Sequence, residues 1–502
     1  MTPTSPSART SKTRGAPSLP TRAQSLWEAN RLPTGYSPLR SRIRAEVAVV
    51  GAGITGLTAA HRLANAGREV VVLEAGLVGG GVTGVTTGKV SALHGANLQT
   101  IADERGEAAA AEYFRANRDA VEVVGRLAAL CPDARFERRP AFTFSNRGSD
   151  RIVREQQLLQ RIGADAEMDT TAALPIPRAT AVRLDGQAQM DPIAYLVGLA
   201  RNVVDLSGTV YEHTRVTGLH GVDGDVLTTA EGEVRAKVVL LTSGTPFTYR
   251  GGYFARTEPH RSYAVALELE DSPPEGLYLG LDDPVRSLRT AVDRADGCRL
   301  LIASGGGHVT ARGDELAEVD ALVAWSLQHF PVRQVRYRWS AQDYRTHDRL
   351  PYVGPLSHLP SHVRVATGFN KWGMTNGTAA AVALADQVLL GHDGTAVGAA
   401  RSTRLPTPSG VLELARVNAR AAMHWVTSLL GPGSASVAGT GVLDLTCPHA
   451  RGTVRWNRAE GTWDCPVHGA RFAADGTVIQ GPAHTNLRIR SRDGGRGAAA
   501  DD

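Results

Sequence analysis

The chain of 502 residues is poor in several residue types, and each shortage excludes something. Four cysteines, at positions 131, 298, 447 and 465, are too few for a disulfide framework, so a reducing, cytoplasmic setting is expected. Lysine occurs only at Lys12, Lys89, Lys237 and Lys371, and arginine supplies the other cations. With a net charge of +5 and acids scattered among the bases, the chain has no long basic run, and nucleic acid is a poor partner. No apolar run approaches the ~18 residues of a membrane span. No acid precedes Glu28, and residues 1 to about 24 are rich in Ser, Thr, Pro and Arg. That segment is expected to be disordered. It lacks the apolar stretch of a secretory signal, and its prolines oppose an amphipathic transit helix.

At this length two or more domains are expected. Residues 46–75, EVAVVGAGITGLTAAHRLANAGREVVVLEA, read as strand, glycine turn, helix and second strand. Helices are predicted over 104–131, 149–162, 192–204, 313–329 and 410–431. Strands are predicted within 208–244 and near 262–270 and 299–303. The segment VRVATGFNKWGMTNGTAAAVALADQVLLG reads as strand, glycine turn and helix. Near residue 432 the text becomes turn-rich and strand-like, which suggests a boundary. Cys131, at the end of a helical run, and Cys298, before an apolar strand, read as core thiols.

Gly51, Gly53 and Gly56 follow a strand and open a helix, with Ile54 and Thr55 between them and Glu74 ending the next strand. Gly51 permits the tight turn, Gly53 lets a pyrophosphate approach the backbone, and Gly56 lets helix pack on strand. The helix N-terminus offers N–H groups to phosphates, and Glu74 suits ribose hydroxyls. Gly79, Gly81 and Gly84 match the same pattern without a strand before or a helix and acid after, and read as a flexible loop. No second fingerprint remains for a nicotinamide cofactor.

Near the C-terminus the chain reads CPHARGTVRWNRAEGTWDCPVHGARF. Cys447 and His449 form one pair, Cys465 and His468 another. Zinc fingers usually pair like with like, whereas a Rieske [2Fe–2S] centre takes two thiolates on one iron and two imidazoles on the other. The mixed pairing favours the cluster, with structural zinc as the alternative. Trp456, Trp463 and Phe472 are candidates to shield the site.

These motifs, with TGVTTGKVSALHG (83–95), YFARTEPHRSYAVAL (253–267), WSAQDYRTHDRLPYVGPL (339–356) and ATGFNKWGMTNG (366–377), resemble flavoproteins of the D-amino-acid-oxidase-like superfamily that carry a C-terminal Rieske domain. The resemblance implies an α/β plus all-β chain. A Rossmann-like FAD-binding domain with an inserted mixed-sheet substrate domain spans 43–432, after an extension and lead-in over 1–42. A small Rieske-type β domain spans 433–502. It implies FAD held at Glu74, with Thr86, Thr87 and Lys89 near the flavin and Val216 at the adenine. Thr242 and Gly244 would end the strand that passes the dinucleotide, and Gly368, Trp372, Gly373 and Met374 would approach the isoalloxazine. His260, Arg261 and Tyr263, and also Asp343 and Tyr344, would lie on the substrate side. Arg261 suits a substrate carboxylate, with a structural salt bridge as the alternative.

Three positions depart from the family. Gly452 and Val467 stand where many relatives have a disulfide, and Ala470 where a serine donor is common. Only about fifteen residues separate the last helix from Cys447, so the Rieske fold is expected to be short and to lean on the flavin domain. The expected function is oxidation of a small amine, amino acid or alcohol by hydride transfer to FAD. Single electrons would then pass through the cluster to an external one-electron carrier. A redox sensor, or an oxidase with a zinc module, are the other classes.

Overall fold

The computed structural model describes residues 19–490 apart from 148–149, 170–179, 222–224, 360–361, 392–394, 430–432 and 438–440. Both the expected disorder of residues 1–18 and the boundary near 432 lie outside the described residues. Residues 19–24 are described. Arg338 donates to the Pro20 carbonyl at 2.8 Å, and Gln24 bridges to Arg338.

An eight-stranded sheet is built around the parallel strands Arg42–Val50, Glu233–Leu241, Val70–Leu73 and Val363–Thr367. Their near-continuous apolar text follows from burial on both faces. Val47 and Val49 pack into one core with helix residues Leu57 and Leu63, while Ala48 and Val50 pack into another with Val71, Val239 and Leu241. The helices Ile54–Asn65 and Gly373–Leu390 lie together on one face. A side chain at Gly377 would come within 2.7 Å of the Thr55 hydroxyl, so their close approach needs glycine there.

A second, nine-stranded sheet is mixed. Its order runs Val332–Arg345, Glu258–Leu269, Arg299–Val309, Arg286–Val292, Leu277–Gly280, Glu137–Ser145, Thr180–Gln189 and Lys89–Val90, with Ala166–Asp169 beside Thr180–Gln189. Among the described residues only Leu277–Gly280 with Glu137–Ser145 pairs in parallel there. Helix Glu315–His329 covers it, capped by Asp314, which accepts from the Ala317 N–H at 3.1 Å.

Two expectations need correction. The helix over 104–131 is two, Asn97–Arg105 and Glu107–Ala128, because Gly106 takes φ 86° and breaks the ladder. Cys298 is only half-buried, at a turn, whereas Cys131 is buried. The 79–84 segment, read as a loop, runs into a 3-10 turn at Val82–Val85, where a side chain at Gly84 would lie 2.2 Å from the Gly79 carbonyl. The Gly79 N–H donates to the Ala52 carbonyl at 3.0 Å, which ties this loop to the dinucleotide turn.

After helix Pro408–Leu429 come two small antiparallel sheets. One joins Ser434–Val437, Gly441–Asp444 and Ile489–Arg490; the other joins Arg455–Asn457, Thr462–Asp464, Arg471–Phe472 and Val478–Gln480. Their core of Leu443, Val454, Val467, Phe472 and Leu487 is completed by Ala421 from the preceding helix. The short module also leans on the larger body. Arg312 and Gln342 donate to the Pro466 and Gly469 carbonyls at 2.8 and 2.7 Å, and Arg215 donates to the Val478 carbonyl at 3.0 Å.

The strongest tie is ionic. Arg261 and Asp464 are both fully buried and meet at 3.0 Å. Arg261 also donates to the Ser340 hydroxyl at 2.8 Å and the Gln342 carbonyl oxygen at 3.0 Å. Asp464 accepts from Asn457 and Thr462 at 2.9 and 3.0 Å. Burial opposes the Asp464 charge, but Arg261 and Arg471 outweigh it and hold the carboxyl below its usual range. Asp464→Asn leaves Arg261 without its counter-charge and is expected to cost about 3–5 kcal/mol. The check is a lower midpoint in denaturant unfolding, with the C-terminal module lost first.

Candidate functional site

One cavity of about 850 Å³ runs between the first sheet, the second sheet and the C-terminal module. Gly51, Gly53, Ile54, Thr55 and Glu74 line one end, with Thr242, Gly244 and Val216 beside them. Gly51 takes φ 107°, and a side chain there would sit 3.1 Å from the Thr242 carbonyl. At Gly56 the clash would be with the Gly51 carbonyl at 1.9 Å, so Gly56 is a packing position and does not line the cavity. Glu74 accepts from the Ala52 and Gly76 N–H groups at 2.8 and 2.9 Å. Its burial raises the carboxyl pKa, and those two donors oppose the rise.

Thr86, Thr87, Lys89, Trp372, Gly373 and Met374 line the middle of the cavity. Gly368 does not. It takes φ 75° against the Thr346 methyl and supports the turn from behind. Trp372 stacks on His94, centroids 4.2 Å apart and planes 17° apart. His94 also reaches Tyr113 at 2.7 Å and Thr375 at 3.1 Å, and burial holds its pKa down at about 3, so the ring is neutral. Lys89 donates to the Tyr278 carbonyl and the Ser287 hydroxyl, both at 2.6 Å, and burial lowers its pKa well below the usual lysine value.

The substrate-side expectations divide. Arg261 is committed to Asp464 and does not line the cavity, which corrects its assignment to a substrate carboxylate. His260 pairs with Glu258 at 2.7 Å, also off the cavity. Tyr263 does line it, with its hydroxyl 3.0 Å from His308 Nε2. Asp343 and Tyr344 line it too; Asp343 accepts from the Lys371 backbone N–H, and the Tyr344 hydroxyl donates to the Gly481 carbonyl at 3.1 Å.

Sequence reasoning missed a cationic pole in the same cavity, formed by Arg345, Arg349 and Lys371. Neither arginine forms an ion pair among the described residues, and the Lys371 ammonium donates only to the Ser262 hydroxyl, at 3.0 Å. Surrounding protein and then Arg345 push the Lys371 pKa down to about 7, although the side chain opens onto the cavity. The signal was present: one of only four lysines sits in the glycine turn FNKWG.

The four motif residues converge in pairs. Cys447 and Cys465 lie within hydrogen-bonding reach of each other, and the backbone N–H groups of His449, Ala450, Val467 and His468 point at their sulfurs. The His449 and His468 rings meet edge to face at 5.0 Å, and the buried His468 Nδ1 has no hydrogen-bond partner. Among the described residues no group of three or more His, Cys, Asp or Glu is placed to hold a single ion. Zinc would need four on one ion, whereas a binuclear cluster divides its ligands two and two. The donor set and the orphaned imidazole nitrogen therefore fit a [2Fe–2S] group, and the glycine cradle fits a dinucleotide.

Phe472 is fully buried in the core that holds the cysteines and Trp463 packs against that core, while Trp456, 42% exposed, reaches it only through Trp463, its ring centroid 4.8 Å away. The imidazoles are covered instead by residues of the larger body. Tyr249 stacks on His449 at 5.0 Å and donates to its carbonyl, while Phe254 sets its edge against His449 at 5.6 Å and His468 at 5.1 Å. Ile479, Gly481 and His484 of the module line the shared cavity. A side chain at Gly452 would fall 2.4 Å from Val467 Cγ2, so valine fills the space between the two loops.

Residues 46–387 match the FAD dependent oxidoreductase family, and residues 436–491 match the Rieske [2Fe-2S] domain. A putative Rieske 2Fe-2S iron-sulfur protein, YhfW, of Bacillus subtilis (strain 168) is 30% identical over 496 residues, covering 93% of this chain and 97% of the relative. Gamma-glutamylputrescine oxidoreductase of Escherichia coli (strain K12) is 25% identical over 362 residues, 68% of this chain and 82% of the relative. Glycine oxidase from Geobacillus kaustophilus shares the fold at a TM-score of 0.59 and 19% identity, over 72% of this chain and 99% of that one. With the glycine cradle and the paired thiolates and imidazoles in place, the chain belongs to the FAD dependent oxidoreductase family and carries a C-terminal Rieske [2Fe–2S] domain.

Proposed function

We propose that the chain oxidises a small amine or amino acid bearing an anionic group, and passes the electrons singly through the cluster to an external carrier. One observation carries this reading: a single cavity is lined by the dinucleotide loops, by the cationic pole and by the cluster module. Bound FAD supplies two-electron hydride acceptance and the cluster one-electron exchange. Around them the chain's own groups have separable tasks. Lys371, Arg345 and Arg349 hold the anionic end of the substrate. Asp343, through the Lys371 N–H, fixes the turn that carries the ammonium. Trp372 and His94 form a stacked apolar wall, and Tyr249 and Phe254 keep water from the imidazoles. Relatives named for gamma-glutamylputrescine and glycine fit the substrate class.

The cluster is expected to be a weak oxidant for its kind. Ala470 is fully buried and brings no hydroxyl to the cluster, and fewer hydrogen bonds to sulfur lower the potential. A midpoint in the lower half of the Rieske range, roughly −150 to +300 mV, is expected, and Ala470→Ser should raise it in a redox titration.

Anion binding should depend on pH with a defined sign. Lys371, with its pKa near about 7, is cationic below that pH and neutral above it. A carboxylate ligand that perturbs the flavin spectrum should therefore bind more weakly as pH rises through that value. Lys371→Met should weaken binding and flatten the pH dependence. For the electron path, an anaerobic screen of amines, amino acids and alcohols should find a substrate that bleaches the flavin. Cys465→Ser should keep that bleaching and lose turnover with a one-electron acceptor; unchanged turnover would refute the path.

A further inference from the structure

The helix Pro408–Leu429 has an unusual outer surface. Its inner face enters the module core through Ala421, in the same packed cluster as Cys447 and Cys465, and Ser428 accepts from the Thr453 N–H at 2.8 Å. Outward it presents Met423, Trp425 and Val426, all exposed, with Arg416 and Arg420 along one edge. Arg455, exposed on the strand Arg455–Asn457, lies near that edge, since it and Arg312 both come close enough to His424 of the helix to oppose its charge. Arg312 completes the group. Arg420 and Arg455 both lie close enough to repel its charge, and Arg312 donates to the Pro466 carbonyl at 2.8 Å, in the loop between the ligands Cys465 and His468.

Arginine predominates here, with Glu413 the acid on the helix itself. Among the described residues Arg312, Arg420 and Arg455 form no ion pair, and Arg416 meets only Glu413, at 3.5 Å on an exposed helix turn. Glu258, the acid that faces Arg312 and Arg420, is already bound to His260. Arginine, tryptophan and methionine are also the residue types that interfaces favour. A second copy meeting this edge across a two-fold would bring arginine mostly to arginine, since the acid on this helix, Glu413, already lies beside Arg416.

We propose that this patch is the docking surface for an acidic one-electron carrier protein, seated beside the loop that carries Cys465 and His468. Resting on the function proposed above, it identifies the external partner by charge. One electron leaves the reduced cluster and reduces an oxidised carrier whose potential lies above that of the cluster, and no bond forms or breaks. A ferredoxin, lower in potential, serves only as a probe of charge-guided binding. The arginines steer encounter, and the exposed Met423, on the same side of the helix as Arg416 and Arg420, adds apolar contact.

The test uses the FAD- and cluster-loaded full chain, with an acidic [2Fe–2S] ferredoxin as probe and a basic cytochrome c as its opposite, followed by a direct binding assay. Ferredoxin should bind at low salt and weaken steeply as the screening length falls from about 30 Å at 0.01 M to about 8 Å at 0.15 M. Arg420→Glu and Arg455→Glu should each weaken it by about tenfold, and the pair by more. Arg118→Glu, an exposed charge on another helix, should not. Flavin content and the cluster's paramagnetic signal report that each variant has folded. Ferredoxin binding indifferent to both reversals would overturn the proposal. So would binding of anionic phospholipid vesicles, but not ferredoxin, through the same arginines. Because binding is read without substrate, a failed substrate screen would count against the proposed reaction and leave this result standing.

Discussion

A guanidinium and a carboxylate, both withdrawn from water, hold the two halves of this protein in one arrangement. Arg261 extends from the mixed sheet and Asp464 from the module that follows the last helix, and among the described residues neither has another ion-pair partner except Arg471 beside Asp464. Such a pair gains little over a well-packed apolar contact, but it is costly to break from one side. It therefore specifies one docked geometry more than it adds stability. The cavity wall formed by Ile479, Gly481 and His484 exists only in that geometry. So does the cover of Tyr249 and Phe254 over the two imidazoles.

The same buried pair explains why the short module is sufficient. Its two small sheets enclose only a modest core, and small cores are marginal by themselves. Ala421 closes that core from the helix side, while Arg312, Gln342 and Arg215 satisfy carbonyls that a larger module would cover itself. Gly452 and Val467 belong to this economy. Where a covalent link would stiffen the two ligand loops, a valine side chain occupies the space and outside contacts supply the constraint.

Local patterns were legible in the sequence, and contacts between distant segments were not. The Gly51–Gly56 turn, its flanking strands and the Cys/His pairs depend on neighbours a few residues away, and they stand where their spacing put them. Gly106 broke a helix that periodicity ran straight through, because only the backbone dihedral reveals the turn. Arg261 was misplaced for a different reason. An arginine on a substrate-sheet strand looks the same in sequence whether it faces a ligand or an aspartate about two hundred residues later. Lys371, Arg345 and Arg349 escaped notice because they converge from two loops, and no spacing rule joins them. Tyr249 and Phe254 lie within a stretch whose neighbours were noticed, yet their partners are the distant imidazoles.

The docked arrangement also gives the cluster site two unlike sides. The imidazoles turn toward the larger body, under Tyr249 and Phe254, and the cavity passes beside them along Gly481 and His484. The two cysteines share one packed core with Ala421 of the helix Pro408–Leu429, whose outer edge carries arginine. Burial of the imidazoles keeps that side dry and shortens the path to the cavity. Under the proposed electron path, a centre that exchanges electrons inward toward the cavity and outward to a carrier depends on this asymmetry. A module free to swing would lose it, which returns the burden to the one ion pair that prevents swinging.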